Sequence, residues 1–166
     1  MKKWIILCLL VLVGCQSEMN KERNGQVRNG MAYYHAYNDD SISIASVCLE
    51  DDTIIGATLD ELTHLSKEEY QGLLESDKEN GKKHIASKVE NSELYSQMMK
   101  NNGATQTIQE NFKAICDYVK GKSSAHLQAE IDMKSDKEVT DLVAGCTLEN
   151  TKGYIQTIIN ACNQAK

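Results

Sequence analysis

The sequence predicts an α+β fold, an antiparallel β-meander followed by helices packed on the sheet. Two observations predict it. Residues 31–65 carry strand-like apolar patterns broken by turn residues, whereas residues 105–162 carry apolar residues at helical spacing. Strands first and helices after them put the helices on one face of an antiparallel sheet.

The elements follow in order. Tyr33, His35 and Tyr37 alternate with Ala32, Tyr34 and Ala36 from Met31 onward, a period of two with aromatic residues that suit a pleated surface. Ser41 to Leu49 is the second strand. Its apolar phase slips between Ile44 and Val47, which predicts a bulge or burial on both faces. Glu50-Asp51-Asp52 makes a turn, and Thr53 to Leu65 returns as the third strand. Lys67 to Lys83 is charged and interrupted by glycine, a helix fragment or a loop. Ser92 is placed to cap a helix from Glu93 to about Lys100, with Leu94 and Met98 on one face. Thr105 is placed to cap the next, whose stripe is Ile108, Phe112, Ile115, Cys116 and Val119, and Gly121 ends it. Ser124 begins a short helix through Leu127 and Ile131. Asn150 or Thr151 caps the last, where Ile155, Ile158, Ile159 and Cys162 repeat at helical spacing.

The N-terminus predicts the location. Lys2 and Lys3 precede an apolar run of ten residues, Trp4 to Val13, against roughly 20 for a membrane-spanning helix. The run ends in Leu12-Val13-Gly14-Cys15, the small-residue cleavage pattern of a signal peptide. A Cys directly after Leu-Val-Gly resembles a bacterial lipobox, in which that Cys is diacylated and becomes the mature N-terminus. The organisation expected is a signal peptide over residues 1–14, lipidated Cys15 with a polar tether over residues 15–29, and one domain over residues 30–166. Two acyl chains hold a protein on a membrane where one does not, so the domain is expected on the extracytoplasmic face of the cell membrane, anchored through the diacylglyceryl group on Cys15.

The formal charge of −6 becomes two units more negative once Lys2 and Lys3 are removed. An acidic surface disfavours nucleic acid and anionic lipid headgroups, which demand basic patches. Cys48, Cys116, Cys146 and Cys162 follow Cys15 without metal-site spacing and without a Cys-x-x-Cys pair. They are read as free thiols in preference to bridges. His35, His64, His84 and His126 are scattered, and no metal site is expected from them. Tyr33, Tyr34 and Tyr37 supply aromatic surface, for core packing first and for stacking on a ring second.

Chemistry is carried by Asp141-Leu142-Val143-Ala144-Gly145-Cys146-Thr147. This stretch resembles the flavin-attachment motif of FMN-binding-domain proteins, whose usual form is Asp-x-x-Ser-Gly-Ala-Thr. Ala144 stands where Ser is usual and Cys146 where Ala is; both are small enough for a tight loop. Asn111 to Ile115, Lys134 to Thr147, and Thr151 to Ile155 are similar to the C-terminal half of FMN-binding-domain lipoproteins of extracellular electron transfer. Ala45 to Asp51 and Leu59 to Leu62 are similar to their strand-turn-strand. The resemblance implies FMN joined by a phosphodiester bond to the Thr147 hydroxyl, installed by a flavin transferase of the ApbE type from FAD. It implies Asp141 as the residue that the transferase or its Mg²⁺ reads, with Gly145 and Cys146 completing the cofactor-binding set. Physically, small neighbours let a phosphate approach the backbone, and a helix starting near Asn150 offers N–H groups and a positive dipole end.

Asp52 to Thr58 also ends in Gly56-Ala57-Thr58 and matches the Gly-Ala-Thr letters more closely. Ile54 and Ile55 place Thr58 within a strand, where its backbone is committed to a ladder and no helix start follows, so Thr147 is preferred. The function expected is a membrane-anchored flavoprotein that relays electrons from a membrane dehydrogenase or quinol. It is an electron carrier, with no acid–base catalytic residue, more than a substrate-converting enzyme. The alternative is a surface lipoprotein of the same fold without flavin, a ligand- or protein-binding module. A third reading, release of the apolar fragment Leu7 to Gly14 as a peptide pheromone, rests on hydrophobicity alone.

Overall fold

The computed structural model describes residues 25–66, 70–72, 74–75 and 83–166. The signal segment, Cys15 and most of the tether lie outside these residues, as does much of the charged stretch from Lys67 to Lys82. Ten elements follow in the order β1 (Val27–Tyr34), β2 (Ser41–Glu50), β3 (Thr53–Ser66), β4 (Leu74–Glu75), β5 (Lys83–Ser87), α1 (Ser92–Asn101), α2 (Ile108–Val119), α3 (Ser124–Asp132), α4 (Asp136–Leu142) and α5 (Thr151–Asn163). The sheet is antiparallel with strand order β1-β2-β3-β5-β4. Helices α5 and α2 pack on it, α5 over β1 and β2 and α2 over β3. The fold is the expected α+β arrangement.

Several boundaries differ from the expectation, each for a local reason. β1 begins at Val27, inside the stretch read as tether, because Val27 to Asn29 pair with Cys48 to Glu50 on β2. It stops at Tyr34 because Asn38 turns the chain: Asp40 N donates to Asn38 Oδ1 at 2.9 Å and Ser41 N to Asn38 O at 3.3 Å. The register shift falls at Cys48/Leu49, not between Ile44 and Val47. Ser43, Ala45, Val47 and Leu49 face the helices, while Ile42 lies on the outer face and is exposed. Leu94 and Met98 of α1 are exposed, and the helix instead buries Ser96, whose hydroxyl accepts from Ile108 N at 3.1 Å. Thr107, not Thr105, caps α2 in a reciprocal capping box with Glu110.

The stripes read on α2, α3 and α5 are all buried: Ile108, Phe112, Ile115, Cys116 and Val119; Leu127 and Ile131; Ile155, Ile158, Ile159 and Cys162. They meet Ala45, Val47, Leu49, Ile54 and Leu59 of the sheet in one core. Phe112 and Tyr154 pack edge to face with ring centroids 5.1 Å apart, a favoured aromatic geometry. Cys48, Cys116, Cys146 and Cys162 are free thiols. Burial pushes the thiols of Cys116 and Cys162 up to about 11, so neither offers a reactive thiolate near neutral pH.

Gly153 positions the first turn of α5. A Cβ there would lie 2.5 Å from Ala36 O, so only glycine lets this turn abut the β1–β2 loop. That loop carries Tyr37 toward the segment joining α4 and α5.

Candidate cofactor-attachment site

The segment between α4 and α5 is pinned by buried residues at both ends. Val143 and Cys146 point inward, while Ala144, Gly145 and Thr147 are exposed. Gly145 adopts a φ of +82°, a left-handed conformation that side-chain-bearing residues resist, and the turn closes with Cys146 N donating to Val143 O at 3.0 Å. The Cys146 thiol lies 3.1 Å from the Thr151 hydroxyl, which donates to Leu148 O at 2.6 Å. Thr140 of α4 donates to the same carbonyl at 2.8 Å. These bonds tie the loop to both flanking helices.

Thr147 is held by a residue that the motif does not contain. Asn111, fully buried on α2, accepts the Thr147 N–H at 2.7 Å and the Thr147 hydroxyl at 3.3 Å through the same amide oxygen. Its own amide donates to Thr107 O at 2.8 Å, which fixes the orientation of the group. Asn111 interrupts the apolar stripe of α2, and a lone polar residue on a buried helix face is the sequence signal that marks it.

Asp141 is not on the loop. It stands on the last turn of α4, exposed and paired with Lys137 at 2.9 Å. Helix α4 was not expected from the sequence, although Ser135-Asp136-Lys137-Glu138 spells a capping box that forms in full. Asn150 is the N-cap of α5 but makes no side-chain capping bond, unlike Thr107, Ser123 and Ser135 at the starts of α2, α3 and α4. The first turn of α5 is nonetheless packed: Thr151 is buried and its N–H donates to Leu148 O at 3.2 Å.

Thr147, Leu148, Glu149 and Asn150 form one side of a cleft of about 200 Å³, whose other walls are Tyr37, Lys88, Tyr95, Ile108 and Tyr154. A shallower hollow of about 450 Å³ lies across the loop, reaching Ala144 and Gly145 from the side of Lys113 and Tyr118. Beneath the cleft is a buried charged cluster. Lys88 Nζ is 2.8 Å from Glu61 Oε1, with Lys88 3% exposed and Glu61 not at all. The Tyr154 hydroxyl donates to Glu61 Oε2. Lys88 Nζ also lies 4.7 Å from the Tyr95 ring centroid and 5.3 Å from that of Tyr37, within cation–π range. Burial opposes the Lys88 charge, but Glu61 and Tyr95 outweigh it and raise the pKa of the ammonium. Burial first and Glu61 second push the Tyr154 phenol well above its ordinary value. Tyr33 and Tyr34 are exposed rather than core: β1 is an edge strand, and Tyr34 borders an open hollow beside Lys152 and Gln156 of α5. Tyr37 reaches the cleft.

Thr58 is exposed on the outer face of β3, its backbone paired with Ser46 of β2, and no helix begins near it in sequence. His35 Nδ1 lies 2.9 Å from Ser41 O, and His126 pairs with Glu130 at 3.3 Å. No group of three His, Cys, Asp or Glu side chains suited to a metal occurs among the described residues.

The residues around Thr147 suit a tethered flavin better than a freely dissociating one. The features that such a linkage calls for at Thr147 are an exposed hydroxyl, the small neighbours Ala144 and Gly145, and the start of α5 close by. The cleft, at about 200 Å³, is below the roughly 300–1,000 Å³ of pockets that enclose a ligand, too small to enclose a whole flavin. No protein-family model matches the chain, and neither curated proteins nor solved structures yield a match.

Proposed function

We propose that this chain is a membrane-anchored extracytoplasmic flavoprotein that relays electrons through FMN attached by a phosphodiester bond to Thr147. One observation carries the reading: the Thr147 hydroxyl, oriented by buried Asn111, opens on the rim of an aromatic cleft beside the uncapped start of α5. FMN supplies the redox chemistry, taking up and passing on one or two electrons. The chain anchors and orients it. Thr147 would provide the linking oxygen, close to the start of α5, whose positive dipole end favours a phosphate nearby. Tyr37 and Tyr95 flank the ring, and Asp141 stands exposed for recognition by the transferase. Asn111 has no basicity to remove the Thr147 proton, so that proton would leave to a base of the transferase as the Thr147 oxygen bonds to the FMN phosphorus of FAD and the pyrophosphate bond breaks, releasing AMP. The electron donor is a membrane dehydrogenase or quinol and the acceptor a soluble or surface oxidant, with Cys15 keeping the domain near the donor.

Coexpression with an ApbE-type transferase tests the proposal. Intact mass should rise by one FMN moiety, and the band should fluoresce in a denaturing gel. An unmodified chain under conditions that modify a known acceptor sinks it. That outcome favours the second reading, a binding module without flavin, which the modest volume of the cleft also suits. Cys15→Ser should move the protein from the detergent phase to the aqueous phase on temperature-induced partitioning.

A further inference from the structure

The buried ion pair has a direction relative to the cleft. Lys88 forms part of the wall, whereas Glu61 lies behind it and is fully buried. One Glu61 oxygen is engaged by Lys88 and the other by the Tyr154 hydroxyl. The pair therefore presents its positive end to the cleft and keeps its negative end turned away. The rings of Tyr37 and Tyr95 both lie within cation–π range of the ammonium, at 5.3 Å and 4.7 Å. The opposing charge at the mouth is Glu149, which is exposed and screened by solvent.

We infer that the cleft between Tyr37 and Tyr95 seats the redox ring of the cofactor carried on Thr147, and that the Lys88 ammonium stabilises the negative charge the ring gains on reduction. This inference rests on attachment at Thr147. At neutral pH, two-electron reduction of a flavin takes up two electrons from the membrane donor and one proton from solvent, leaving one net negative charge on the ring. No bond to the protein forms or breaks. A fixed cation in a partly desolvated wall interacts with that charge more strongly than it would in water, and it makes no such contribution to the neutral oxidised ring. The net effect is a higher affinity for electrons. Lys88 costs no reorganisation at the moment of transfer, because Glu61 and the two rings already hold it in place.

The test uses the full chain coexpressed with the transferase, with modification verified by intact mass and the midpoint potential read by spectroelectrochemistry. Lys88→Met alone would strand Glu61, so it is combined with Glu61→Gln to give a neutral pair of similar size. The double variant should gain the same mass as the parent. At a fixed applied potential its reduced-to-oxidised ratio should fall on the order of tenfold, about 30 mV for a two-electron couple. Glu149→Gln should shift the ratio the other way by a smaller factor, and Lys88→Arg should leave it near that of the parent. A folded, modified double variant with an unchanged potential overturns the inference. Should that variant fail to fold, Lys88→Gln combined with Glu61→Gln, a second neutral pair, is read in the same way: a lowered ratio supports the inference and an unchanged one overturns it. A parent chain that gains no mass defeats attachment itself, and the inference falls with it, an outcome read on the mass spectrum before any potential is measured.

Discussion

Thr58 and Thr147 close stretches that read almost alike, Asp52 to Thr58 and Asp141 to Thr147, yet the fold treats them differently. Thr58 is exposed, but its backbone belongs to the ladder between β2 and β3 and its side chain stands on an open sheet face. Thr147 is also exposed, but its N–H and hydroxyl are both held by a buried amide, and it lies two residues after the left-handed Gly145 and shortly before the start of α5. Exposure alone therefore does not distinguish an attachable hydroxyl. What differs is whether backbone and neighbours leave room and complementary charge for a phosphate.

The largest expected effect is all or none. Thr147→Ala should abolish the FMN mass gain and the in-gel fluorescence, and Thr58→Ala should leave both intact; the reverse pattern would transfer the site to β3. Next comes the residue that Thr58 has no equivalent of. Asn111→Ala leaves the Thr147 N–H without its acceptor and should cost about 1–3 kcal/mol in a denaturant melt, together with slower modification. If modification keeps its parental rate in a folded variant, orientation by Asn111 is not part of the site.

The charged cluster beneath the cleft predicts alkaline sensitivity on the Thr147 side of the molecule. Lys88 and Tyr154 both have raised pKa values in the folded chain, so the native state holds these protons more tightly than the unfolded state does. Their contribution to stability is fully present below the unfolded values, about 10.4 for Lys and about 10 for Tyr. It is lost as pH rises through the higher folded values. Tm should fall above about pH 10, and more steeply in the parent than in Lys88→Met/Glu61→Gln. Parallel curves would show that the cluster is not the origin.

Two glycines give a smaller contrast. Gly145→Ala forces a side chain into φ +82° and should cost roughly 1–2 kcal/mol. At Gly56, two residues before Thr58, an added Cβ would meet its nearest neighbour, Cys48 Cβ, at an ordinary 4.0 Å, and Gly56→Ala should stay within about 0.5 kcal/mol. Urea melts of the two variants measure the difference. The smallest stability effect belongs to Asp141→Asn, which breaks an exposed i,i+4 pair with Lys137 worth about 0.2–0.5 kcal/mol. Its modification rate should nonetheless drop, which separates recognition by the transferase from folding.

The parts of this fold that were legible in the sequence are those in which one element declares its own buried face. The stripes Ile108 to Val119 and Ile155 to Cys162 did so, as did the turn at Asp51, which adopts a φ of +54°. Edge and short elements were not: β5, Lys83 to Ser87, is five residues long and gains its place only by pairing with β3. Helix α4 was written in its capping box but has only one buried residue, Val139, to show a period. The site divides in the same way. Thr147, Gly145 and their exposure follow from local chemistry. Asn111, Lys88, Glu61 and Tyr154 do not, because their contacts join residues 36, 27 and 93 positions apart, and no local pattern encodes such a meeting.

The position of Thr147 on the rim of a small cleft has a consequence for transport. A group linked there would meet the cleft at an effective concentration of roughly millimolar, whatever its free concentration in solution. A seat with only millimolar affinity would then be about half filled, and a ring held that weakly would leave and return rapidly. The arm at Thr147 would act as a swinging one, docked against Tyr37 and Tyr95 for part of the time and reaching outward to a partner for the rest. Tightening the cleft would slow delivery, and loosening it would leave the ring unshielded from solvent.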